Sequence, residues 1–169
     1  CIVKPSEVAE NTMKAMAKII NENFPNDYIF VAEGAVEEIT EILKLKFDKI
    51  FFTGSTKVGQ IVYEAAAKNL TPVTLELGGK RQAIVTTNAD FEVAAKRIVW
   101  GKFLNAGQTC VAPDYILVDK KVKDSFLDTL KSYIQKFNYQ PDSEHYTKII
   151  NRRNFDRLVK FIEKDKIYF

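Results

Sequence analysis

Three apolar runs, residues 28–32, 49–53 and 73–77, alternate with two segments whose apolar residues recur at helical spacing. The first such segment carries Val36, Ile39, Leu43 and Phe47; the second carries Val58, Ile61, Val62, Ala65 and Ala66. Parallel strands need a crossover rather than a hairpin, and strands apolar throughout need cover on both faces. This alternation therefore predicts an α/β fold, a doubly wound, Rossmann-like parallel sheet that is incomplete.

Upstream, Pro5 and Ser6 suit a helix start, and Val8, Thr12, Met16, Ile20 and Phe24 predict one amphipathic stripe that ends before Pro25. After Gly79 the rhythm changes. A strand (82–86), a helix (90–104), a loop to Pro113, a strand (115–119) and a helix (122–137, striped by Val122, Phe126, Leu130, Ile134 and Phe137) form a second α/β unit. A last helix is expected over 149–164, with Phe155, Leu158, Val159 and Ile162 facing inward. The boundary between the two units is placed near Leu77, giving 1–77 and 78–169.

Composition narrows the class only slightly. With 46% hydrophobic and 28% charged residues the chain is an ordinary globular one. Its net charge of +3 is small, and Lys120, Lys121 and Lys123 are interleaved with Asp119 and Asp124, so nucleic acid is not an expected partner. No run reaches the roughly 18 apolar residues of a membrane span, and no basic segment leads into an apolar one at the start, so the cytoplasm is the expected compartment. Two cysteines, Cys1 and Cys110, make neither a disulfide framework nor a zinc motif. A chain that opens on Cys1 with a short apolar stub reads as a fragment.

Two short motifs carry the chemistry. LELGGK (75–80) sets Glu76 at the end of an apolar strand, and NAGQTC (105–110) sets Cys110 in a polar, glycine-containing loop. A thiolate is the best side-chain nucleophile near neutral pH, and a carboxylate in a buried site can act as a base toward water. The strand and helix between them give the chain room to fold one back toward the other. The glycines would let backbone approach a ligand closely. The single histidine, His145, lies in a polar stretch and reads as an exposed loop residue, which weakens a Cys/His hydrolase. Trp100 and Phe103 read as packing residues of the helix before Cys110. FFTGSTKVG (51–59) adds a glycine turn and hydroxyls between a strand and a helix, where free amides favour an anion. It is neither GxGxxG nor a P-loop, and as an isolated pattern it reads first as Ser55 capping a helix.

FFTGSTKVG, LTPVTLELGGK and NAGQTCVAPDY, in this order, resemble the aldehyde dehydrogenase superfamily, most of all its class 3, fatty-aldehyde-type branch. The resemblance runs from IVKPSE at 2–7 to INRRNFDRL at 150–158. It implies a partial dinucleotide-binding domain over 1–77 and a partial catalytic domain over 78–169. It implies that Cys110 is the nucleophile and Glu76 the general base of an NAD- or NADP-dependent oxidation of aldehydes to carboxylic acids through a thiohemiacetal and a thioester. Lys4 and Glu7 would meet the adenosine ribose, Gly54 and Ser55 the pyrophosphate, and Val58 the adenine, with Leu77 and Gly78 also at the cofactor. A homodimer is implied, with medium- or long-chain aliphatic or aromatic aldehydes as substrates. The alternative is a nucleotide-binding module without catalysis.

The upstream asparagine that shares the family's oxyanion hole, the downstream EIFGP-like segment and the oligomerisation region are not found within residues 1–169. The 169 residues alone are therefore expected to be inactive or nearly so, and to need the missing portions for solubility.

Overall fold

The computed structural model describes residues 1–140 and 142–162. The chain divides into two compact units, Cys1–Leu77 and Gly78–Phe169. In the first, β1 (Ile2–Val3) leads through a single turn of 3-10 helix capped by Ser6 into α1 (Glu10–Asn23), then β2 (Phe30–Val31), α2 (Val36–Ile42), β3 (Ile50–Gly54), α3 (Thr56–Ala67) and β4 (Val73–Leu77). The second runs β5 (Arg81–Val85), α4 (Phe91–Phe103), β6 (Pro113–Val118), α5 (Lys123–Phe137) and α6 (Arg152–Val159). All the ladders formed by the described residues are parallel: β1 with β2, β3 with β4, and β5 with β6. The protein is thus α/β, with each parallel pair joined by a helical crossover as the strand–helix alternation demands.

Local chemistry sets the element ends. Ser55, Asp90 and Asn151 each stand in extended backbone just before a helix, and each side chain accepts a hydrogen bond from a backbone N–H of the first turn. That contact satisfies one of the donors a helix start leaves without a partner. α5 ends on Asn138 in the left-handed region, a residue type that tolerates it.

In the first unit α1 packs against β2, and α3 packs against β3 and β4. The buried seam of α1 is Met13 and Ala17, not the expected stripe, of which Val8 and Phe24 are exposed. The cause is Asn21. Its side-chain amide donates to Val31 O at 3.2 Å and accepts from Val31 N at 2.8 Å, which rotates the helix so that positions 13, 17 and 21 face the strand. α2 stops at Ile42, so the expected stripe loses Phe47, and Val36 is exposed. The expected two-sided cover is also incomplete: Phe51 on β3 is 66% exposed, because α3 covers only the other face.

The second unit's core gathers in one cluster. Val85, Ala95 and Phe126 are buried together, with Phe91, Ile98, Ile116 and Leu130 around them, and Phe126 is 0% exposed. Phe91 meets Phe126 edge-on at 5.9 Å. Full burial of one such ring is worth about 2–3 kcal/mol. The opposite face of this ladder is open at Ile84 and Leu117. α6 corrects a second expectation: Phe155, Leu158 and Val159 are exposed, as is Ile162 beyond the helix. The rest of that expected helix, at 163–164, lies outside the described residues. Trp100 also faces outward, whereas Phe103 packs by stacking on Tyr139 at 4.9 Å. No helix among the described residues is long and apolar enough to cross a membrane.

Candidate active site

The parallel register places Thr53 opposite Glu76 and Gly54 opposite Leu77, so the ends of β3 and β4 share one edge. Carboxyl ends of parallel strands are where α/β folds bind ligands. At that edge Ser55 caps α3, its Oγ accepting from Val58 N at 3.3 Å. The helical N–H groups of Thr56 and Lys57 that precede Val58 have no intrahelical acceptor. Gly54 lies under the Phe52 ring, where a Cβ would fall 2.6 Å from Cζ, and Leu77 packs on Gly59 of α3, where a Cβ would fall 2.8 Å from Cδ2. Val58 is exposed. Free amides, a hydroxyl and a position without a side chain are the donor set and close approach that a pyrophosphate needs, so the residues fit a dinucleotide's anion.

Lys4 follows β1, and its ammonium donates to Glu7 Oε2 at 2.5 Å. That bond, reinforced by a backbone hydrogen bond, holds the Glu7 carboxyl below the usual range. The pair offers one donor and one acceptor, which is what vicinal hydroxyls require. Gly78 opens the second unit, with free space where a Cβ would stand.

Cys110 occupies the tip of a turn closed by the hydrogen bond from Ala112 N to Thr109 O at 3.1 Å, and it is exposed. The backbone ahead of it is unusual. Asn105 (φ 53°, ψ 34°), Ala106 (φ 54°, ψ 32°) and Gly107 (φ 72°) are left-handed in succession. Two of these are not glycine, and such residues cost of order 1 kcal/mol each unless their surroundings hold them. Here Gln108 N and its Nε2 both donate to Asn105 O, at 3.1 and 3.0 Å, while Asn105 Nδ2 donates to Gln108 O at 3.3 Å. Gly107 suits its place, since at φ 72° a side chain is strained and a Cβ there would lie 3.0 Å from the Lys102 carbonyl oxygen.

Asp114, at the start of β6, pairs with Lys80 at 2.8 Å and approaches Lys102 on α4 at 3.9 Å, tying together the two stems of this turn. The Lys80 ammonium holds the Asp114 carboxyl below its ordinary range. Reading the sequence missed this pair, as it missed the role of Gln108. The asparagine and glycine of NAG were a turn signal; an ion pair formed between distant residues leaves none.

Glu76 is exposed rather than buried. Strand alternation turns it away from the faces that Leu75 and Leu77 use, and no described element packs over it within its unit. Glu76 belongs to the unit Cys1–Leu77 and Cys110 to the unit Gly78–Phe169. His145 is exposed, as expected, and the described residues contain no cluster of three or more metal-ligating side chains.

Residues 1–167 match the model of the aldehyde dehydrogenase family. Aldehyde dehydrogenase family 3 member A2 of Pongo abelii is 46% identical over 170 residues, covering 99% of this chain and 35% of the relative. 4,4'-Diaponeurosporen-aldehyde dehydrogenase of Staphylococcus aureus is 48% identical over 163 residues, covering 95% and 36%. The dimeric NADP-preferring aldehyde dehydrogenase of Mus musculus is 47% identical over 169 residues, covering 98% and 37%. The substrate-bound structure of Staphylococcus aureus AldH superposes with a TM-score of 0.87 at 48% identity, over 94% of this chain and 35% of that one. The chain therefore spans a little over a third of the length of these relatives. The family match over nearly every residue, and the strand edge and cysteine turn that fall within it, lead to one conclusion: this chain belongs to the aldehyde dehydrogenase family.

Proposed function

We propose that the protein is an NAD(P)-dependent aldehyde dehydrogenase in which Cys110 is the nucleophile and Glu76 the base. The observation that carries this reading is the exposed thiol of Cys110 at the tip of a turn whose strained backbone is held by side-chain hydrogen bonds. Family membership and the cofactor named for relatives, NADP for the mouse enzyme and NAD+ in a betaine aldehyde dehydrogenase structure from Staphylococcus aureus, support it.

In this reading Gly54, Ser55 and Val58 hold the dinucleotide's phosphates and adenine, Lys4 and Glu7 meet its ribose, and Leu77 and Gly78 line its path. The bound nicotinamide supplies the hydride acceptor. The Cys110 thiolate adds to the aldehyde carbon, and the Cys110 backbone N–H donates to the oxyanion that forms. Oxidation leaves a thioester on Cys110. Glu76, exposed and therefore open to water, deprotonates the water that hydrolyses it, and a carboxylic acid leaves. Residues 1–77 supply the cofactor edge and 78–169 the nucleophile, as a dinucleotide-binding and a catalytic portion. The substrates are aliphatic or aromatic aldehydes, and the active species is a homodimer, in keeping with the relative named as dimeric.

The test is Cys110→Ala in the full-length gene product. NAD(P)H formation with an aliphatic aldehyde falls at least about a thousandfold, while cofactor affinity measured by fluorescence titration stays within about twofold. Oxidation persisting at a tenth of the native rate or more would remove Cys110 as the nucleophile; cofactor binding with no aldehyde oxidation by the native protein would leave a nucleotide-binding module.

A further inference from the structure

Gln108 does more than close its own turn. Its side-chain Nε2 donates to Lys148 O at 3.3 Å, and its Oε1 accepts from Ile150 N at 2.9 Å. Carbonyl and N–H two residues apart are the groups a parallel strand presents around the residue between them. The amide of Gln108 therefore takes the place of a missing strand partner beside Ile149, and the same Nε2 holds Asn105 O at 3.0 Å. A second contact brings the same stretch of chain to the same turn. Phe103, the last residue of α4, stacks on Tyr139 at 4.9 Å and meets Tyr146 at 6.0 Å. Tyr139 and Tyr146 are thus fastened to the stem of the cysteine turn through aromatic rings, and Lys148 and Ile150 to its left-handed bend through one amide.

We propose that Gln108 is a positioning residue for the nucleophile, fixing the presentation of Cys110 by anchoring the turn to the main chain of Lys148 and Ile150. The proposal rests on the reading of Cys110 as nucleophile given above. Three left-handed residues in a row have shallow intrinsic preference for that shape, so their geometry is set by what holds them. Gln108 is the described side chain that joins the bend to a segment 40 residues on. A misplacement of about 1 Å at a reacting atom is enough to cost about 100-fold in rate.

The experiment compares Gln108→Ala and Gln108→Glu with the native full-length gene product. The alanine variant is expected to lower kcat about 10- to 100-fold with KM for aldehyde and cofactor within about twofold, and to speed hydrogen exchange of the Ile150 amide about tenfold or more. Glutamate keeps the acceptor for Ile150 N and loses the donor to Lys148 O and Asn105 O. It should restore the Ile150 protection and recover part of kcat. A Gln108→Ala enzyme with kcat within twofold of native, or one that loses kcat while Ile150 exchange is unchanged, overturns the proposal. Should the alanine variant not fold, the glutamate variant decides alone: reduced kcat at constant KM supports the anchor, and native kcat refutes it. If the native protein oxidises no aldehyde, Ile150 protection lost in Gln108→Ala still upholds the anchor while the enzyme reading falls.

Discussion

The turn after β3 and the turn after α4 carry the two halves of the proposed chemistry, and they are built in different ways. At Gly54 and Ser55 the backbone is ordinary, and a hydroxyl three residues from its donor does what helix caps do elsewhere in the chain, at Asp90 and Asn151. At Asn105, Ala106 and Gly107 the backbone is left-handed throughout, and its supports include contacts far along the chain. Their units differ in the same sense. The second unit contains a fully buried phenylalanine, whereas the largest fully buried side chain of the first is Val31. Binding a phosphate needs free amides, which any helix start provides; presenting a nucleophile needs a fixed atom, which only over-determined surroundings provide.

That contrast can be broken by mutation. The largest effect is expected from Phe126→Ala, which removes the ring at the centre of the second unit's core and should cost about 3–5 kcal/mol. Val62→Ala, in the first unit, removes far less and should cost about 1–2 kcal/mol. Chemical denaturation of both variants checks the ranking; equal losses would mean that the Phe126 ring contributes less than its size and burial indicate. Next is Gly107→Ala, at φ 72° with its new Cβ 3.0 Å from the Lys102 oxygen, expected to cost about 1–3 kcal/mol. The matching change at Gly78, where nothing stands within 4 Å, should stay within about 0.5 kcal/mol. Comparable costs at both sites would show that the left-handed turn is not specially constrained.

The smallest effect is on acid stability. Lys4 beside Glu7 and Lys80 beside Asp114 each hold a carboxyl below its ordinary range in the folded protein. A depressed folded-state value contributes stability above the unfolded pKa of about 4–4.5, lost as pH falls through the depressed value. Both pairs are exposed enough for solvent to screen them, so Lys80→Met should lower stability above pH 4.5 by only a few tenths of a kcal/mol, roughly, with the difference vanishing as pH falls through the depressed value. A constant small offset above pH 6 that closes through a shallower acid limb is the predicted pattern.

Much of this architecture could be read from the residues, and the misses have physical causes. β4 falls at 73–77 as its apolar run predicts, and α4 begins after Asp90, because capping and strand alternation are local. The seam of α1 was misread because several apolar faces compete on that helix and the choice is made by Asn21 bonding Val31, ten residues away. The spacing of α6 predicts an inward face, yet spacing says which side is apolar and not whether anything covers it. In the cysteine turn the glycine and asparagine were legible, whereas left-handed Ala106 has no sequence signature and the partner of Gln108 lies beyond any local window.

Glu76→Gln in the full-length gene product gives the most direct test of covalent catalysis at Cys110. Intact mass and peptide mapping under turnover with an aliphatic aldehyde and cofactor should find the acyl group of that aldehyde accumulating on the peptide that bears Cys110, while release of the carboxylic acid slows at least about a hundredfold. Acid release at the native rate, or arrest with no acyl group on Cys110, would contradict the roles assigned to both residues.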